Sequence, residues 1–405
     1  MKKRYKILIV LLALTIIGGI FIKISIEPNT SLNKNGIGIG VKTIPVNWRI
    51  KKLNNLPKPD PNSEDSVEID LRSSDLSKVN VTGKEKDLLN STFDSKTKWP
   101  KNMPINFLPE KIMETGKNPG LRVKDLHKLG INGKNIGIGI IDQRLLVNHV
   151  EYKDRVKAYE EIHCAKETSM HGSAVTSIAV GKTTGVAPAS DLYYIGQDPG
   201  IKDKIDFKYT AKAIDRIIDI NKKLPKEKKI RVISISIGWG PKDIGYKEVT
   251  EAVKRAKEEN IFVVSSSLRH TYGFKFNGLG RNPLLNPDME SSYTPGLWWQ
   301  KDYYNGKYDS TNTLLVPMDS RSTASPTGYN DYAFYREGGW SWSIPYIAGV
   351  YALACQVDPN IAPEEFWKVA LKTGDTIEFK NKGKVYELGK IINPVKLIEN
   401  LKANL

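Results

Sequence analysis

Ile136-Gly137-Ile138-Gly139-Ile140-Ile141-Asp142 is the stretch on which the reading of this chain turns. Six apolar or glycyl residues follow one another without a charge and stop at a carboxylate. A strand with one face in water alternates apolar and polar side chains. An unbroken apolar run instead implies a strand covered on both faces, the condition of a parallel sheet between helices. Similar runs span Asp191–Ile195, Arg231–Ile237 and Ile261–Ser266. Between them, Tyr209–Asn221 sets Ala213, Ile214, Ile217 and Ile218 on one helical face, and Tyr246–Glu259 does the same with Val249, Ala252, Val253 and Ala256. Strands alternating with helices imply right-handed crossovers and an α/β layered domain.

Outward from this core the chain is less regular. Its 405 residues are 40% hydrophobic and 26% charged, enough apolar surface for one large core or two modest ones. The net charge of +16 is spread along the sequence. No Lys/Arg stripe interleaves with aromatics, and there is no zinc-finger or RNA-binding signature, so no nucleic-acid partner is expected. Two cysteines, Cys164 and Cys355, make neither a disulfide framework nor a metal set. Two buried free thiols is the default reading, although spacing does not decide their pairing. No oxygen-ligand motif for a metal is present, and no cofactor is expected.

At the N-terminus, Lys2, Lys3, Arg4 and Lys6 precede the uncharged run Ile7–Ile22, closed by Lys23. With no A-x-A-like cleavage site after it, residues 1–25 read as an uncleaved signal-anchor. The positive flank keeps that end in the cytoplasm, which predicts a single-pass cell-membrane protein whose remainder is extracytoplasmic, or secreted if the segment is cleaved. Residues 26–124 read as a tether or pro-region, rich in turn formers such as Pro57-Lys58-Pro59. Short strand-like pieces there, Val67–Leu71 for one, suit docking onto the main domain, residues 125–405. The insertion from Phe274 to Tyr335 carries Trp298-Trp299 and several tyrosines, which suit a satellite packing cluster or a substrate wall. Pro363 with Glu364 and Glu365 marks a later helix start.

Three segments place reactive side chains where an α/β sheet collects them, at strand C-termini and helix N-termini. Asp142 ends its strand. Met170-His171-Gly172-Ser173-Ala174-Val175 opens an apolar helical stretch. Gly338-Gly339-Trp340-Ser341 leads into a long apolar helix reaching about Cys355, with Pro345 expected in its first turn. Taken singly, an Asp ending a strand or a His opening a helix has an ordinary structural explanation. A serine at a helix N-terminus, near free N–H groups and the positive end of the macrodipole, suits acyl transfer.

Together these segments resemble the subtilisin-like serine peptidases, the subtilases. Asp142, then His171 29 residues on, then a distant Ser341 follows that family's order. Ile140-Ile141-Asp142 resembles its Asp motif, His149 with Glu151 its H-P-[DE], His171–Val175 its H-G-T-x-V, Gly185-Val186-Ala187-Pro188 its G-V-A-P, and Gly339–Gly349 its serine box aligned on Pro345. Ile233–Gly238 looks like the substrate-pairing strand edge. The resemblance covers roughly Leu121–Gly374 and implies a subtilisin-like three-layer domain, a mainly parallel sheet covered by helices and preceded by the membrane anchor. It implies a serine endopeptidase in which Ser341 attacks a scissile carbonyl, His171 takes the proton and Asp142 orients the imidazole. A peptide or protein substrate would add as a strand along Ser236 and Gly238. The oligomeric state is left open.

The chain departs from the family in three places. Asp142-Gln143-Arg144 sets a cation beside the triad, Trp340 replaces the threonine before the nucleophile, and Leu268 stands where the oxyanion asparagine belongs. Ser267, Arg269, His270 or Asn277 are the available substitute donors; the sequence does not choose among them, and Ser267 is carried as the candidate. An incomplete oxyanion hole keeps a second reading open, a catalytically impaired subtilase-like binding or regulatory protein.

Overall fold

A computed structural model describes residues 31–32, 36–59, 68–200, 204–308 and 311–405. The run Gly137–Asp142 becomes an interior strand with all six residues buried. It belongs to a seven-stranded sheet in the order Ser31–Leu32, Gly38–Ile39, Val156–Glu161, Asp191–Gly196, Gly137–Asp142, Ile230–Ile235, Phe262–Ser265. Every pairing but the first is parallel. The apolar alternation divides cleanly between two faces, as the two-residue period of a strand requires. Ile138, Ile140, Val232 and Val264 meet the helices Met170–Val180 and Trp340–Val357. Ile141, Ile233, Ile235 and Val263 meet Lys208–Lys222 and Tyr246–Glu258. Gly139 permits this closeness: a Cβ there would lie 2.9 Å from Ile217 Cδ1. The α/β sandwich expected from the apolar runs is therefore present, with strand and helix bounds within one or two residues.

A second, five-stranded sheet carries the strands Tyr293–Pro295, Lys275–Arg281, Thr313–Pro317, Lys384–Ile391 and Asp375–Asn381, in that order. Most of the aromatic insertion lies here, and Trp299 and Tyr293 enter the main core. Pro363 opens the helix Pro363–Thr373. Both cysteines are free; Cys355 is buried, whereas Cys164 is only half-buried.

The region before residue 124 is more integrated than a tether. Ile69–Asp70 and Ser91–Asp94 complete a four-stranded sheet with Tyr332–Tyr335 and Arg321–Ala324. Ile69, Leu71, Leu76, Val79, Leu88, Phe93, Phe107 and Ile112 form a small core closed by Phe334 from the later segment. Among the described residues no helix is long and apolar enough to cross a membrane. The expected anchor, residues 1–25, lies outside the described residues.

Candidate active site

Asp142 sits at the C-terminal end of its strand and is 8% exposed. Its Oδ1 accepts from the Gln143 N–H at 2.8 Å and from His171 Nδ1 at 2.8 Å. Because a carboxylate only accepts, Nδ1 carries the proton and the neutral ring keeps Nε2 as its acceptor. His171 is the second residue of the helix Met170–Val180, capped by Ser169, whose Oγ accepts the His171 N–H at 3.0 Å. Ser169 Oγ also donates to Gln143 Oε1, and Gln143 Nε2 reaches Asp198 Oδ2 at 3.1 Å. Gly172 is required beside the histidine, since a Cβ would fall 2.4 Å from the Tyr194 hydroxyl and 2.5 Å from the Gln143 carbonyl. Burial of the imidazole lowers its proton affinity, but the charge and hydrogen bond of Asp142 and the charge of Asp198 outweigh this, leaving the pKa above the ordinary value. Arg144 turns away to pair with Glu161 at 2.8 Å and to donate to the Lys166 carbonyl, so it is not a free cation beside His171.

Ser341 is the second residue of the helix Trp340–Val357, entered through Gly339 at φ +67°. Its Oγ donates to the Ser236 carbonyl at 3.2 Å, not to His171. Pro345 differs from expectation: the helix begins at Trp340, so the proline lies in the second turn, inside the helix. Lacking an N–H, it cannot bond the Ser341 carbonyl four residues back. That carbonyl instead accepts the Ser236 hydroxyl at 3.0 Å. The proline thus frees one backbone oxygen through which the strand edge holds the serine. Ser343, two residues on, is fully buried. The indole of Trp342 stands edge-on to the His171 ring at 5.7 Å and to Tyr335 at 5.0 Å. The His171 helix, the Ser341 helix and the strand end at Ser236 therefore meet in one place.

The remaining predicted residues fall into three groups. Gly238 lies against Ser266 and Ser267 along the continuation of the strand. Ser267 is buried with its hydroxyl committed twice, accepting from the Trp239 N–H and donating to the Trp239 carbonyl, both at 2.7 Å. Leu268 is fully buried, while Arg269 and His270 are exposed on a four-residue turn. Asn277 stands apart from these: its Oδ1 accepts from Trp340 Nε1 at 2.8 Å, one residue from Ser341. His149 and Glu151 hold backbone. His149 Nε2 meets the Asp331 carbonyl at 2.8 Å. Glu151 accepts from Thr183, Thr184 and Tyr332, which, against its burial, keep its pKa below the usual carboxylate value.

Sequence reading missed Asp319, which is 1% exposed. Its two oxygens accept the Gly338 N–H at 3.0 Å and the Leu297 N–H at 2.8 Å, so it steadies the loop entering Ser341. Burial pushes its pKa up to about 7. The available signal was its position, just past the apolar strand Thr313–Pro317.

Residues 133–269 match the Subtilase family. This segment contains Asp142 and His171 but ends before Ser341. Among solved structures, fervidolysin from Fervidobacterium pennivorans, a keratinolytic enzyme related to subtilisin, superposes with a TM-score of 0.50 at 16% identity, over 74% of this chain and 48% of that one. The prenylagaramide maturation protease PagA gives 0.48 at 16% identity, over 70% and 99%. A cold-adapted subtilisin-like serine proteinase gives 0.42 at 16%, over 60% and 83%. Segment 133–269 is thus similar to the subtilases, and the α/β fold with a parallel sheet under helices is similar to that of fervidolysin.

Proposed function

We propose that this protein is a serine endopeptidase working through an acyl-enzyme, with Asp142, His171 and Ser341 as its triad. The observation that carries the reading is the 2.8 Å bond from His171 to a buried Asp142, at a strand end beside the helix N-terminus that presents Ser341. Substrate arrival turns Ser341 Oγ from the Ser236 carbonyl toward His171 Nε2, the tightening expected when an apo site closes on its substrate. Ser341 Oγ then attacks the scissile carbonyl carbon while His171 takes its proton. The amine leaves with that proton, and water delivered by the same base releases the acid. The Ser341 N–H, in the first turn of its helix and without an intrahelical acceptor, donates to the developing oxyanion. An extended peptide lies along Ser236–Gly238.

A second reading has one specific observation behind it. Leu268 is apolar and fully buried at the oxyanion segment, which suits a subtilase-like binding protein. Incubation with an unstructured protein such as casein, with fragments sequenced by mass spectrometry, separates the two. Internal cleavage by wild type and none by Ser341→Ala is expected. Tight binding of intact substrate without fragments favours the binding protein.

A further inference from the structure

The Leu268 departure leaves the oxyanion with one identified donor, the Ser341 N–H, and the structure points to where the second comes from. Asn277 lies in the strand Lys275–Arg281 and is 4% exposed. Its Oδ1 accepts two hydrogen bonds, from the Gly278 N–H at 2.9 Å and from Trp340 Nε1 at 2.8 Å. Both partners are groups that can only donate. They fix the amide's orientation, because a flipped side chain would set NH2 against two N–H groups. Nδ2 is therefore turned away from both. It donates to no described residue, yet it is not among the polar atoms sealed from solvent without a partner. An amide donor is thus held at an accessible point against the residue that precedes the nucleophile.

Other donors nearby fit less well. The Ser267 hydroxyl is consumed by Trp239 on both sides. Arg269 and His270 face solvent. Ser266 packs beside Gly238, on the strand-edge flank. The ring of Trp340, seated against Phe276 at 5.3 Å and Trp298 at 5.2 Å, keeps Asn277 in register with the start of the serine helix. The threonine-to-tryptophan departure at 340 and the asparagine-to-leucine departure at 268 then become one change: the donor has moved to a different strand, and the indole moors it.

We propose that Asn277 Nδ2 is the side-chain oxyanion donor, a catalytic residue supplied from outside the family-matching segment. This rests on the peptidase reading. Asn277→Asp tests it, since the carboxylate keeps both accepted hydrogen bonds while it replaces the donor with a negative charge that also repels the oxyanion, and the neutral Asn277→Ala removes the donor without that charge. With a chromogenic peptide substrate, kcat should fall roughly 100- to 1000-fold with KM nearly unchanged, as for an interaction made only in the transition state. Asn277→Ala should show a large loss as well, no greater than that of Asn277→Asp. Trp340→Phe, which removes the mooring bond but leaves the amide, should lose far less, about tenfold or under. A peptide aldehyde, which forms the tetrahedral adduct, should weaken in parallel with kcat, whereas a product peptide should bind as before. Full turnover in folded Asn277→Asp, or the large loss appearing in Ser266→Ala instead, overturns the assignment while the peptidase stands. If wild type neither turns over substrate nor forms the aldehyde adduct, both fall.

Discussion

Asp142 and His171 are held from within one segment, residues 142–198, whereas Ser341 is held by residues from four segments spread between positions 72 and 319. Gln143, Ser169, Gly172, Tyr194 and Asp198 surround the first pair, and all lie within residues 133–269. The serine loop instead leans on Asp319 through Gly338, on Asn277 through Trp340, and on Ser236 through its own carbonyl. It leans on Arg72 as well, which donates at 3.2 Å to the Tyr335 hydroxyl behind Trp342. One half of the candidate site is built within a single segment and the other is an assembly.

The largest expected effects ignore this difference, because the chemistry needs both halves. Ser341→Ala and His171→Ala should each lower kcat by on the order of a million-fold, and the double variant should be little worse, since the two act as a unit. A double variant that is additive would separate the halves and break the account. Asp142→Asn should cost about ten-thousand-fold by favouring the wrong imidazole tautomer. The acid limb of kcat/KM should show the same contact. His171 must be neutral to act as base, and its raised pKa moves the limb above about pH 6.5. The same shift adds folded-state stability that is complete below about pH 6.5 and lost as pH rises through the folded value.

Smaller effects sharpen the assembled half. Asp319 has a pKa raised to about 7 by burial, so the fold prefers its neutral acid. Its favourable contribution is fully present below about pH 4 and declines as pH rises to about 7. Melting curves across this range should fall for wild type and run flatter for Asp319→Asn, which should also be less stable through one disturbed acceptor. Pro345→Ala restores an N–H that competes with Ser236 for the Ser341 carbonyl. Melting temperature should rise, as for a proline removed from a helix interior, and kcat should drop a few-fold. An unchanged kcat would show that the Ser236 hydroxyl has no role in seating the serine.

The same contrast explains what the sequence made legible. Buried parallel strands are continuous apolar runs, so Gly137–Asp142, Ile230–Ile235 and Phe262–Ser265 could be read almost to the residue. Asp142 and His171 came with them. The N-terminal region was hidden because its strands are two to four residues long and pair with Tyr332–Tyr335, far along the chain. On the proposed peptidase reading Leu268 leaves a donor to be found, but only the folded chain shows Asn277 beside Trp340. Pro345 was placed a turn too early because no local pattern marks where a glycine-led helix starts.

The central claim, that His171 activates Ser341, is tested most directly by labelling with a fluorophosphonate probe and mapping the modified residue by mass spectrometry. The account predicts adduct on Ser341 in wild type and none in Ser341→Ala or His171→Ala. Folded wild-type protein that takes no label, or takes it on a residue other than Ser341, would contradict it.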